Sequence, residues 1–283
     1  MPLIDTHCHL DFDAYSGIRD EIVREAADSG VTRLIDPGTD LAHSRAAVEL
    51  AQTYPGVFAA VGVHPTSTVG FSDAALDAIC ALATRPKVVA IGEIGLDYYW
   101  DDAAKEVQWT ALEAQLALAA KLELPVIIHN REASEDILDV LGTWVTTLPT
   151  ALKERPGVLH SFSAPQGIAD RGLALGFRLG FTGPVTFKNA DDLRRIAARV
   201  PVDRILVETD GPFLTPHPYR GRRPNRPAYV RFVAERIAAL HNMPYDEFAT
   251  QVTANAERLF ALSPDETAGR HPYVTESQNL DEV

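Results

Sequence analysis

Val88-Val-Ala-Ile91 is a short apolar run, and after a polar break Ala103–Leu122 follows, where Trp109, Leu112, Leu116 and Ala119 recur at helical spacing. The first stretch reads as a strand buried on both faces, the second as a helix with one apolar stripe. Working outward, the same pairing repeats. Strands are predicted at Leu3–Thr6, Thr32–Asp36, Val57–Val63, Pro125–Ile128, Val158–His160, Arg178–Phe181 and Ile205–Glu208. The companion helices are Ile18–Asp28, Leu41–Thr53, Asp73–Ala83, Glu132–Val145, Pro165–Leu175, Asp191–Ala198 and Pro227–Leu240. Strand then helix, eight times, implies an α/β fold, a closed parallel (β/α)8 or TIM barrel with a helical outer ring. An open doubly wound sheet is the competing architecture, which pattern alone does not separate from it.

The chain of 283 residues suits one such barrel, which takes about 250. Residues 1–262 are read as a single domain. Two more helices are expected, from Pro244 and through Asn255–Phe260, and residues 146–156 read as a longer loop. From Ser263 to Val283 the chain is polar, with five acids against Arg270, and reads as a flexible acidic tail. No apolar run is long enough to span a bilayer, and no secretory segment precedes His7. Cys8 and Cys80 are too few for a disulfide framework, so a cytoplasmic protein is expected. No obligate protein partner is evident.

A net charge of −13 argues against broad adhesion to nucleic acid. The charge is uneven, however. Between Thr215 and Leu240 stand Arg220, Arg222, Arg223, Arg226, Arg231 and Arg236 against Glu235 alone, a local balance of +5. Such a patch can guide a polyanion or be only a solvated loop.

The polar residues fall where strands end: His7 and His9 after the first, His64 the third, Glu93 the fourth, His129 the fifth, His160 the sixth, Glu208 and Asp210 the eighth. In this barrel those ends share one face, where active sites are built. His7 and His9 are two apart on an extended stretch, so they point the same way while Cys8 points the other. Two such imidazoles can grip one divalent ion. Together with His129, His160, Glu93 and Asp210 they make six donors, more than one zinc takes, and Glu93 is the natural bridge between two ions. Asp210 can orient or deprotonate a water. Zinc suits the imidazoles, whereas magnesium or manganese suits phosphoryl chemistry. Tyr98, Tyr99 and Trp100 follow the Glu93 strand; they can stack on unpaired bases or pack the next helix.

These motifs resemble the TatD family of metal-dependent deoxyribonucleases, within the amidohydrolase-like barrels, over about residues 3–262. The resemblance rests on Ile4-Asp-Thr-His-Cys-His9, Gly62-Val-His-Pro65, Gly92-Glu-Ile-Gly-Leu-Asp97, Pro125-Val-Ile-Ile-His-Asn-Arg131, Leu159-His-Ser-Phe162 and Val207-Glu-Thr-Asp210. It implies a first metal on His7, His9, Glu93 and Asp210, and a second on Glu93, His129 and His160. It sets His64 near the second metal or the scissile phosphate, and Arg131 and the Arg220-Gly-Arg222 loop toward substrate. Glu208 is read as an orienter or a substrate contact. The chain departs from the family pattern at Ser161, Ala164, Asn130-Arg131-Glu132 and Pro224-Asn225-Arg226, the last exchanging a common acid for arginine.

The leading expectation is a deoxyribonuclease using two divalent ions, trimming single-stranded DNA ends, because the mouth is narrow for a duplex. The alternatives are an amide or ester hydrolase on the same site, such as a D-aminoacyl-tRNA deacylase, and a non-catalytic metal-dependent binding protein. The arginine loop favours the polyanion.

Overall fold

The computed structural model describes residues 2–263. Eight strands, β1 (Leu3–Asp5), β2 (Val31–Pro37), β3 (Val57–Val61), β4 (Val88–Asp97), β5 (Val126–Arg131), β6 (Gly157–Leu159), β7 (Arg178–Phe181) and β8 (Ile205–Val207), pair in sequence order, all parallel. The seam between β8 and β1 is closed by the segments that follow them. Thr6 N–H donates to the Val207 carbonyl, Asp210 N–H to that of His7, and His9 N–H to that of Gly211. Asp5 reinforces the seam, since its carboxyl accepts from Thr209 N–H at 2.9 Å and from the Thr209 hydroxyl at 2.5 Å. The barrel expectation holds, and the open sheet does not.

Helices α1 (Arg19–Asp28), α2 (Leu41–Thr53), α3 (Asp73–Ala83), α4 (Lys105–Leu122), α5 (Ser134–Thr146), α6 (Thr150–Lys153), α7 (Gln166–Ala174), α8 (Asp191–Ala197), α9 (Val230–Leu240) and α10 (Tyr245–Phe260) complete the chain. The two helices expected after Pro244 are one, α10. The 146–156 loop contains the single turn α6. The expected tail lies outside the described residues beyond Ser263. No helix among the described residues is long and apolar enough to cross a membrane.

Two apolar clusters follow from strand alternation. One fills the layer between sheet and helices. The other lies along the barrel axis, where Ile4, Ile35, Phe58, Ile127 and Leu206 meet Leu259 and Phe260 of α10. Asn255 of α10 donates to the carbonyls of Val202 and Ile205 at the start of β8, and Arg33 of β2 pairs with Glu257. Helix α10 therefore seals the N-terminal end with apolar side chains. The opposite end is left for polar ones.

Candidate metal centre

Strand β4 is longer than its apolar run because it continues through Glu93 to Asp97. Its register against β5 shifts between Ile91 and Ile94, and such an irregularity re-aims a side chain. Glu93 N–H is held by the Gly38 carbonyl, and its carboxylate lies at the centre of the mouth, 3% exposed. Gly95 lets β5 approach: a Cβ there would sit 1.9 Å from the His129 carbonyl oxygen.

The Glu93 carboxylate faces two sets of donors. Its Oε2 lies 3.3 Å from His7 Nε2 and 3.6 Å from His9 Nε2. Its Oε1 lies 2.9 Å from His129 Nδ1, and 3.8 Å from both His160 Nε2 and His64 Nε2. Asp210 Oδ1 closes the ring at 3.9 Å from His7 Nε2, 3.7 Å from His9 Nε2 and 3.8 Å from His160 Nε2. His7 Nε2 and His9 Nε2 are only 3.2 Å apart. As expected, Cys8 turns away, buried against the Tyr15 hydroxyl. Asp210 sits in the left-handed region at φ 52°, a conformation that costs a non-glycine residue about 1–3 kcal/mol, held by its bond to the His7 carbonyl.

Three rings are fixed from behind. His9 Nδ1 meets the Pro37 carbonyl at 3.1 Å, His160 Nδ1 meets Glu208 Oε2 at 2.9 Å, and His129 Nε2 meets Asp97 Oδ2 at 2.9 Å. Such partners fix the ring orientation and leave the other nitrogen facing inward. Of the two roles open to Glu208, the geometry is that of the orienter. The residue is wholly buried and also accepts from Ser161 N–H, in space that a Cβ at Gly180 would fill. Asp97 is a site residue that the sequence reading does not pick out, although its signal is present: it stands four residues after Glu93 on one strand, an even spacing that puts both on the same face.

His64 differs from the other rings. Thr66 holds its Nδ1 through the hydroxyl at 2.7 Å and the N–H at 3.3 Å, which leaves Nε2 facing Glu93.

Charge in the cluster is mutually determined. Burial pushes His7 down to about 3, with the stacked His160 ring 3.4 Å away adding to it. Burial and neighbouring His129 likewise push His64 down to about 3. Burial alone would also lower His160, but the carboxylates of Glu208, Glu93 and Asp210 outweigh it and raise the ring to about 9. For Glu93, burial opposes ionisation, yet His7, His160 and His129 hold it well below the ordinary carboxylate range. Burial raises Asp210 to about 6.

A buried cluster of converging imidazole nitrogens and carboxylate oxygens, with each outer nitrogen of three rings pinned, is a donor set that fits divalent metal. His7, His160 and Asp210, then His7, His9 and Glu93, then His64, Glu93 and His129 each bring three donor atoms within 4.8 Å of one another. The open side is marked by Asp210, His64 and His129, whose side chains are 16%, 14% and 19% exposed against 0% for His7.

The expected substrate residues lie around this floor. Arg131 is exposed, its guanidinium 3.9 Å over the Tyr99 ring. Arg220 lies 4.1 Å over Phe187, and Arg222 lies 5.0 Å over Tyr219. The arginine-rich segment is less basic than its composition: Arg226 pairs with Glu21 and Glu25 of α1, and Arg231 with Glu235. His43 bonds Asp11 and is partly exposed. His241 meets the Ala197 carbonyl at 2.9 Å and stacks on Phe248.

A parallel eight-stranded barrel with histidines and carboxylates converging at its C-terminal mouth defines a barrel-type metal-dependent hydrolase. A family model described as TatD related DNase matches residues 4–261, and the chain belongs to the TatD family. It is 40% identical to the metal-dependent hydrolase YabD of Bacillus subtilis, covering 92% of this chain and 100% of the relative. It is 36% identical to the protein named 3'-5' ssDNA/RNA exonuclease TatD of Salmonella typhimurium, covering 92% and 99%. The crystal structure of the TatD homologue YjjV from Escherichia coli superposes with a TM-score of 0.85 at 35% identity, covering 92% and 98%.

Proposed function

We propose that this hydrolase is a cytoplasmic deoxyribonuclease that uses two divalent ions to cleave phosphodiester bonds, removing nucleotides from single-stranded DNA ends. The observation that carries the reading is the division of donors by Glu93, whose Oε2 faces His7 and His9 while Oε1 faces His129 and His160. His7, His9, Glu93 and Asp210 would hold one ion, and Glu93, His129 and His160 the other. Bound there, such ions supply Lewis acidity and lower the pKa of water toward about 7.

The chain's own residues then divide the work. Asp210 is partly exposed, and its carboxyl is raised to about 6, so near neutral pH it is ionised yet basic enough to take the proton of an attacking water. His64, held neutral and turning Nε2 toward the mouth, donates to a non-bridging phosphate oxygen and steadies the charge that grows there. Arg131 offers a planar fork to the same phosphate, and Arg220 and Arg222 hold phosphates further along the strand. The Salmonella relative's name points to the same chemistry.

The test is a matrix of metal against substrate. Metal-free protein is reconstituted with zinc, magnesium or manganese and given labelled single-stranded DNA, RNA and an aminoacyl ester. Shortening of the DNA from its ends, at two ions per chain, is the expected result. Turnover of the ester alone would transfer the site to the deacylase class.

A further inference from the structure

The three aromatic residues that follow β4 take different positions. Tyr98 turns into the helical layer: its hydroxyl donates to Asp136 at 2.6 Å and accepts from Trp109 Nε1 at 2.9 Å, and the Lys105 ammonium lies 3.7 Å over its ring. Packing accounts for Tyr98. It does not account for Tyr99 and Trp100, which are 51% and 53% exposed with their rings edge to face at 4.9 Å. Both rings stand in the segment that leaves the C-terminal end of β4, on the mouth side of the barrel. Two neighbouring exposed aromatic rings next to a catalytic floor mark a binding surface rather than a core.

The backbone that carries them is tied to the metal centre by one carboxylate. Asp97 Oδ1 accepts from Tyr99 N–H at 2.9 Å and from Trp100 N–H at 3.0 Å, while Oδ2 meets His129 Nε2. The side chain that aims a metal ligand thus also fixes the aromatic pair beside it. Arg131 comes from the adjacent strand β5, directly opposite Asp97 in register, and lies 3.9 Å over Tyr99 and 5.7 Å from Trp100. A guanidinium stacked on a ring keeps its N–H edge free for phosphate oxygen.

From this geometry we infer that Tyr99 and Trp100, with Arg131 beside them, form a stacking platform for an unpaired nucleobase next to the phosphodiester that enters the metal centre. The inference rests on the phosphodiesterase reading and deepens it. Every base offers a π-face, so the platform is indifferent to sequence, but it requires that the base be free of its stack and its partner strand. The platform selects single strands.

The test uses the full chain loaded with metal, a short single-stranded oligonucleotide, the same sequence as a duplex, and an abasic single strand of the same length as a diester with no aromatic ring. Trp100→Ala is expected to raise KM for the single strand about tenfold with a much smaller change in kcat, the scale of one base–aromatic stack. Trp100→Phe should recover most of that affinity. Tyr99→Ala should also raise KM for the single strand. The loss on the abasic strand should be far smaller, and metal content by elemental analysis should stay at the wild-type value. Oligonucleotide titrations should quench wild-type tryptophan emission more than that of Trp100→Phe. If wild type cleaves the oligonucleotide and Trp100→Ala matches it in KM, the platform is overturned while the phosphodiesterase reading stands. An equal loss on all three substrates also overturns it, because a base-specific contact cannot act on a diester without a base. If wild type neither binds nor cleaves any oligonucleotide, the phosphodiesterase reading falls and the platform with it.

Discussion

The floor of the mouth and its rim hold charge in different ways. On the floor, imidazoles and carboxylates are buried together, and three rings are held from behind by Glu208, Asp97 and the Pro37 carbonyl. On the rim, Arg131, Arg220 and Arg222 rest on Tyr99, Phe187 and Tyr219, with no acid among the described residues beside their guanidinium groups in an ion pair. Arg226 and Arg231, by contrast, are neutralised by glutamates. An arginine steadied by a ring keeps its full charge for an anionic partner, whereas one steadied by a carboxylate gives it up. The floor is built for fixed geometry, the rim for attraction.

The hardest way to break the floor is through its centre. Glu93→Gln removes the charge that both donor sets share, so metal content should fall and activity should drop by about a thousandfold or more, within the range for losing both an ion and its activated water. Elemental analysis beside a rate measurement decides it; full metal content with full activity would remove Glu93 from the bridging position. Asp210→Asn comes next. The residue lies at the mouth, so the far-ultraviolet circular dichroism spectrum should be unchanged while kcat falls about a hundredfold. Near wild-type turnover would take Asp210 out of the proton-transfer role.

Removing a carboxylate from behind the floor should cost less. Glu208→Gln keeps the shape of the side chain but weakens its hold on His160, and Asp97→Asn does the same at His129. Metal affinity should fall about ten- to a hundredfold in each, with turnover largely recovered when metal is in excess. Isothermal titration with metal separates this from a catalytic role, in which excess metal would restore nothing.

The floor is the more legible region in the sequence. Its donor residues end apolar strands, and the rule that strand C-termini share one face assembles His7, His9, Glu93, His129, His160 and Asp210 without knowledge of distances. What escapes there is instructive. The apolar run of β4 ends at Ile91, yet backbone pairing with β5 carries the strand to Asp97. Ending the strand at its apolar run detaches Asp97 from the face it shares with Glu93. Helix α10 reads as two because its pattern weakens before Asn255, whose amide caps the carbonyls of Val202 and Ile205 instead of breaking the helix. The rim is legible only as composition. Six arginines in one segment give a local charge, but the partners of Arg226 are about two hundred residues away in α1, and only the fold reveals which cations are already paired.

The smallest expected effect tests the rim directly. Arg220 and Arg222 lie on the loop after β8, and their charge is spent on no carboxylate of the described residues. If they hold phosphates of a single strand, Arg220→Ala with Arg222→Ala should weaken binding of a short oligonucleotide about tenfold. The salt dependence should also become shallower, by roughly 0.7 in log–log slope for each phosphate that is no longer neutralised. Arg131→Ala should act differently, lowering turnover more than affinity, because its fork lies toward the reacting phosphate rather than along the strand. Arg226→Ala provides the comparison from the same segment: its charge already belongs to Glu21 and Glu25, so its effect on the salt slope should be near zero. Binding measured by fluorescence anisotropy at two salt concentrations is sufficient. If the double variant and Arg226→Ala shift the slope equally, ring-held and acid-held arginines are equivalent, and the distinction between them has no functional content. If neither shifts it and the oligonucleotide still binds tightly, the affinity resides in the floor and the aromatic pair rather than in the arginines.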